Sequence, residues 1–153
     1  MSDLLTINGL SVTSRSHVCE DISGVYAPPQ PRGQTRVVPG QPGELPRRLQ
    51  PGAARFSLPV VVFGDCEPDG TPYADVREGL RVNLDLVRQA ASPASSAPWT
   101  VTATHTLPDG ATRTAQVQVV SVEGPVPIGP SAARVVLDVV VPSGTWTYTA
   151  AGS

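Results

Sequence analysis

The chain has 153 residues, enough to bury one hydrophobic core without crosslinks and too few for a second of comparable size. A formal net charge of −2 and a pI near 5.6 exclude the global basic field that draws a protein onto nucleic acid. With 17 prolines, 14 glycines and only 5% aromatic residues, its Val/Thr runs read as strands of a β-rich domain with substantial loops.

At the N-terminus, MSDLLTINGL has neither the basic start nor the apolar run of a secretory signal. No stretch of the chain approaches the ~20 apolar residues of a membrane span, so the expectation is a soluble protein made in a cytoplasm. Leu5, Ile7 and Leu10 flank Asn8-Gly9, a pair that supplies the two positive φ angles of a type I′ turn. This predicts a short edge hairpin, or a strand with a sharp corner.

From 14 to 54 no period persists, and the stretch GVYAPPQPRGQTRVVPGQPGELPRRLQPG is predicted as a long loop over 24–54 with a brief strand at Thr35–Val38. Proline lacks the N–H that helices and interior strands require. Such composition is that of a linker. Against this, Val37, Val38, Leu45 and Leu49 are apolar anchors spaced along it, and a loop this long beside a compact core is either disordered or functional. An arm that orders against a neighbour fits the anchors better.

In ARFSLPVVVFGD, Phe56, Leu58, Val60 and Val62 share one face while Val61 and Phe63 make the other face apolar, so the strand is expected to be covered on both sides near its end. Pro59 predicts an edge position or a break in the ladder. A helix follows over about 74–91, opened by Asp75 and Glu78 at capping-box spacing. Val76, Leu80, Leu84 and Val87 form its apolar stripe, with Val82 and Leu86 to the side. Arg77, Arg81, Asp85 and Arg88 lie on another face, where both Arg81 and Arg88 can pair with Asp85.

The helix ends in ASPASSAPW, and TVTATHTLPDGATRTAQVQVV then reads as a hairpin turning at Pro108-Asp109-Gly110. Ala115, Val117 and Val119 alternate with Gln116 and Gln118, one face buried and one wet. EGPVPIGPS is predicted as a loop. Val135, Leu137, Val139 and Val141 share the buried face of the last strand, with Trp146 beyond the Ser143-Gly144 turn. Together these elements predict an α+β fold, mainly β: an antiparallel β-sandwich or small barrel flanked by one α-helix, in a single domain spanning 1–153.

Catalytic chemistry is sparse. His17, Cys19, Cys66 and His105 are zinc-ligand types, but only His17-x-Cys19 has a short spacing, and His105 reads better as a hydrogen-bonded strand residue. Cys19 and Cys66 form no CxxC and are expected as free thiols. Asp65, Glu67 and Asp69 miss the calcium-loop pattern and read as a solvated turn. Neither GxSxG nor a phosphate loop occurs, and all 11 basic residues are arginines. No enzyme activity, cofactor or metal is expected.

The order of features, with RVVPGQPGE before ARFSLPVVVFG, a central helix, THTLPDGATRTAQVQVV and a closing VVLDVVVPSGTW, resembles the N-terminal domain of the distal tail proteins. These are minor tail proteins of long-tailed bacteriophages, particularly those infecting actinobacteria, and the resemblance spans nearly the whole chain. It implies a tail-tube-like fold assembled as a homo-hexameric ring at the virion tail tip or baseplate. That ring joins the tail tube protein to the tip or hub protein, with the tape measure protein as a further neighbour. DNA passes only transiently through the lumen, where the mild net negative charge would not retard it, and nothing inserts into a membrane. Many members carry a second, carbohydrate-binding-like domain that this chain is expected to lack.

Within that reading the subunit interface falls on Arg36, Val37, Val38, Pro39, Leu45, Arg47 and Arg48, with the arginines pairing carboxylates of the adjacent copy. Closed rings need one patch to meet a different patch of the next copy, and a proline-stiffened arm loses little entropy in bridging them. A tail-tube or terminator protein shares the fold. A β-sandwich carbohydrate-binding module is the alternative from another class, with Trp99, Trp146 and Tyr148 as its aromatic platform.

Overall fold

A computed structural model describes residues 3–29, 31–32, 36–37, 40, 44–45, 50–92 and 100–152. In chain order the elements are β1 Leu4–Ile7, β2 Leu10–Ser11, β3 His17–Cys19, a 3-10 turn Ser23–Tyr26, β4 Pro31–Arg32, β5 Arg36–Val37, β6 Glu44–Leu45, β7 Gln50–Pro51, β8 Ala54–Phe63, α1 Val76–Ala91, β9 Val101–Thr106, β10 Thr112–Gly129, β11 Ala132–Val141 and β12 Thr147–Thr149. The main sheet runs β2-β1-β9-β10-β11-β8-β3, antiparallel throughout, with β12 added on β10. It curls into a nearly closed barrel-like sheet with a single helix among the described residues, as the patterning predicts.

Long β10 makes the curl. Its first half pairs with β9 and β12, and from Gln118 onward it pairs with β11, so one strand serves both walls. Alternation then sends Leu5, Ile7, Val101, Ala103, Ala115 and Val117 inward from one wall. Leu58, Val60, Val62, Val135, Leu137, Val139 and Val141 meet them from the other. Apart from Val101 and Ala103 of β9, whose face the sequence did not assign, these are the faces read from the sequence. Asn8 and Gly9 have φ of 50° and 84°, the left-handed pair of the expected type I′ turn.

Pro59 sits within the unbroken β8–β11 ladder, opposite Val136. Its carbonyl accepts from Glu20 N on the other side, where β3 pairing has already ended at Cys19. The missing N–H therefore faces a strand end, the break that proline requires.

Four expectations need correction. The brief strand expected at Thr35–Val38 is present as Arg36–Val37, but the rest of 14–54 is not loop throughout: β3 pairs with β8, Arg36–Val37 pairs with Glu44–Leu45, and Pro31–Arg32 pairs with Gln50–Pro51. Two- and three-residue strands have no visible period, and pairing across a hairpin supplies what local pattern lacks. EGPVPIGPS is mostly strand too, because the outer half of β10 pairs with β11; among the described residues no strand pairs with its other edge. Its register shifts between Glu123 and Val126 and again between Pro127 and Gly129, leaving prolines at irregularities and on a free edge where a missing donor costs little.

The helix corrections concern its cap and its face. Asp75 caps α1 by accepting from Arg77 N at 3.0 Å, but Glu78 bonds Arg81 instead of completing a capping box. The buried line is Gly79, Asn83, Val87 and Ala90, with Leu80 and Leu84 half-buried and Val76 exposed. Gly79 explains the rotation. A Cβ there would collide with the Gly64 carbonyl oxygen, and one on Gly64 would lie 2.7 Å from Leu80 N, so two glycines let the helix close over the end of β8. On the exposed face Arg81 and Arg88 both pair with Asp85 as expected.

Candidate functional site

The arm holds the residues singled out for an interface. Arg36 and Val37 lie in β5, and Arg36 stands opposite Leu45 of β6, so three of the seven share one ladder. Val38, Pro39, Arg47 and Arg48 lie outside the described residues, as does Trp99. Gly40, between the two limbs, has φ of 84°. Three residues separate the two ladders on the outgoing limb and four on the returning one.

At the root of the arm is a cluster that patterning did not identify as a unit. His105 of β9 is fully buried. Arg113, its cross-strand partner on β10, donates from Nε to His105 Nδ1 at 2.9 Å. A guanidinium can only donate, so Nδ1 is the acceptor nitrogen and Nε2 carries the proton toward Asp3 Oδ1, 3.0 Å away. Asp3 also accepts from Tyr26 Oη at 2.7 Å. Arg113 reaches on from Nη2 to the Val25 carbonyl at 2.7 Å, and its guanidinium stacks on Tyr26 and Trp146, 4.9 and 4.7 Å from the ring centroids.

These contacts join the start of the chain, the 3-10 turn that leads into the arm, the central hairpin and the segment after β11. Burial, followed by the neighbouring Arg113, pushes the His105 pKa down, while Asp3 opposes the shift. Gly144 completes the root. Its φ is 72°, and a Cβ there would strike the Gly52 carbonyl and Pro29 Cβ, which belong to the two limbs of the arm base.

The second buried histidine ties the helix to the sheet. His17 Nε2 donates to the Asn83 carbonyl at 3.2 Å, and its Nδ1 accepts from Ser16 Oγ at 2.7 Å. Asn83 donates to the Phe63 and Cys66 carbonyls at 2.7 and 2.9 Å and accepts from Tyr73 Oη at 3.1 Å. Burial pushes the His17 pKa down. Among the described residues no buried side-chain N or O lacks a partner.

This arrangement offers little chemistry. Both histidines are engaged on both nitrogens, Cys19 and Cys66 are free thiols, and no three metal-ligand side chains converge among the described residues. Asp69 accepts from Thr71 N within an exposed turn, as GDCEPDG suggested. Trp146 is half-buried against Arg113 and the core, whereas Tyr148 on β12 is exposed.

The surface has two further features. On the outer half of β10, Val120, Val126 and Ile128 are 57%, 58% and 47% exposed, an apolar strip on a strand with one free edge. Beside it Asp138 accepts from Ser57 at 2.7 Å and Ser121 at 2.6 Å; those hydroxyls hold its carboxyl below the usual range.

No family model and no curated protein sequence matches the chain. Its fold is similar to a solved phage protein, SPP1 Dit (gp 19.1), described as a paradigm of the hub adsorption apparatus in phages infecting Gram-positive bacteria. The TM-score is 0.60 at 15% identity, over 92% of this chain. The chain spans about half the length of that protein, 50% of it being covered.

Proposed function

We propose that this protein is a structural component of a bacteriophage tail, of the distal tail type, which forms a homo-hexameric ring between tail tube and tail tip. Its partners in this reading are further copies of itself, the tube protein, the tip or hub protein and the tape measure protein. DNA crosses the lumen without being held. The chemistry is mechanical, with no reaction catalysed.

The observation that carries the reading is the likeness in fold to a phage hub protein over 92% of the chain. The arm supports it from the residues upward. β4 to β7 pair within the arm, and among the described residues their ladders connect to no strand of the main sheet, which suits an arm that bridges to a neighbour. Arginines at 36, 47 and 48 and apolar residues at 37, 38 and 45 give it both charge and anchors. The single domain over 1–153 then serves as the ring body, and the arm with its Arg36, Val37, Val38, Pro39, Leu45, Arg47 and Arg48 as the contact to the next copy. Trp146, stacked on Arg113, is poorly placed as a sugar platform.

Purified virions provide the test. Mass spectrometry should find the protein in the particle, and gold-labelled antibody should mark one end of the tail. Absence from virions overturns the tail reading; label along the whole tail would make it a tube protein instead.

A further inference from the structure

The His105 cluster has its polar groups arranged for one protonation state only. Nδ1 has to be an acceptor because Arg113 Nε–H points at it from 2.9 Å, and the ring has no exposed face through which to turn away. We propose that protonation of His105 opens this cluster and releases the root of the arm, so that the fold carries an acid-sensitive catch on its own hairpin.

The titratable and charged groups around it can be named element by element. Asp3 precedes β1, Tyr26 ends the 3-10 turn, and Arg113 comes from β10. Asp109 in the β9–β10 turn acts on Tyr26 through space, and Tyr148 of β12 stands opposite Arg113 in the ladder. Asp3 is the one carboxylate among the described residues that hydrogen-bonds the ring, and it binds Nε2, where a proton already sits. It can offset added charge but cannot relieve the Nδ1 side. There, a second N–H would meet the Arg113 N–H head-on, cation against cation.

Arg113 would have to swing out. In doing so it leaves the Val25 carbonyl and the space between Tyr26 and Trp146. Tyr26 is three residues before Pro29, and Trp146 two after Gly144, so both limbs of the arm base lose their support together. A burial-lowered histidine pKa places the event on the acid side of the ordinary value of 6.5. The inference does not depend on the tail assignment, since it concerns the isolated chain.

Nitrogen-detected NMR of the imidazole and amide hydrogen exchange, both on the full chain between pH 7.5 and 4.5, test it. The expected result is one acid step, below pH 6.5, in which exchange at Val25, Ala27 and Gly144 accelerates at least tenfold with the same midpoint as the His105 ring. Amides of β8 and β11 should keep their protection through that step. In His105→Gln the step should vanish; in His17→Gln it should remain. Protection at Val25, Ala27 and Gly144 that survives titration of the ring would overturn the proposal, as would the same step in a folded His105→Gln. Because ring and amide midpoints are compared in the unmodified protein, failure of a variant to fold leaves the test decisive.

Discussion

The arm and the outer half of the β10–β11 hairpin have similar compositions and different outcomes. Both are rich in proline, glycine and valine, yet β10 stays paired with β11 out to Gly129, while the described residues of the arm form two ladders of two residue pairs each. The difference lies in what stands behind them. β11 is also hydrogen-bonded along its length to β8, whose inner face is core, so the second hairpin is anchored to the sheet. The described strands of the arm pair only with one another. Composition therefore does not decide between loop and ladder; a supported neighbouring strand does, provided each proline meets a free edge or a bulge.

If that contrast is correct, substitutions should matter more for stability the closer they lie to the β8–β11 pair, and for assembly in the reverse order. Leu58→Ala, at a fully buried position of β8, is expected to cost about 2–5 kcal/mol in urea unfolding, enough to loosen the outer β10–β11 hairpin as well as the core. Gly144→Ala comes next, at roughly 1–3 kcal/mol, since it combines a positive φ with a collision at the arm base. A melting temperature unchanged by Gly144→Ala would mean that the root is not packed as described.

Acid should act on the same boundary. The folded pKa values of His105 and His17 lie below the unfolded value, so above pH 6.5 both states are neutral and nothing is lost. As pH falls below 6.5 the unfolded chain binds protons that the folded chain refuses, and stability declines until the folded pKa is reached. The slope is at most about 1.4 kcal/mol per pH unit for each histidine. Urea midpoints measured from pH 7.5 to 5 should fall, and a His17→Gln/His105→Gln double variant should flatten the curve. Smallest of all, Arg36→Ala in the arm should leave unfolding within about 0.5 kcal/mol of the parent, while weakening assembly.

Much of the fold was legible in the residues because it rests on local periods. The Asn8-Gly9 turn, the inward faces of β8 and β11, the helix and the β9–β10 hairpin all follow from spacing alone. Of the short strands, Arg36–Val37 was expected, but β3 and the other arm strands were not, since strands of two or three residues are too short to show alternation and exist only by pairing. The helix face was misjudged through Gly79 and Asn83, which are buried for close approach and hydrogen bonding rather than for hydrophobicity.

The root cluster had a readable signal. A turn centred on Asp109 sets His105 opposite Arg113, and that cross-strand pair follows from the hairpin register. Asp3, Tyr26 and Trp146 come from three distant segments, and nothing in the sequence brings them to it. Of the interface residues, the structure unites Arg36, Val37 and Leu45 on one ladder, which sequence spacing alone could not do.

In the proposed ring the arm makes the contact between copies and the barrel-like body carries it. The most direct test is the mass in solution of the full chain, with and without tail tube protein, beside a variant in which Arg36, Arg47 and Arg48 are all changed to glutamate. The parent should be a hexamer, alone or on the tube end, and the variant a monomer that melts at the parent's temperature. A parent that remains monomeric in both conditions, or a variant that assembles as well as the parent, would contradict it.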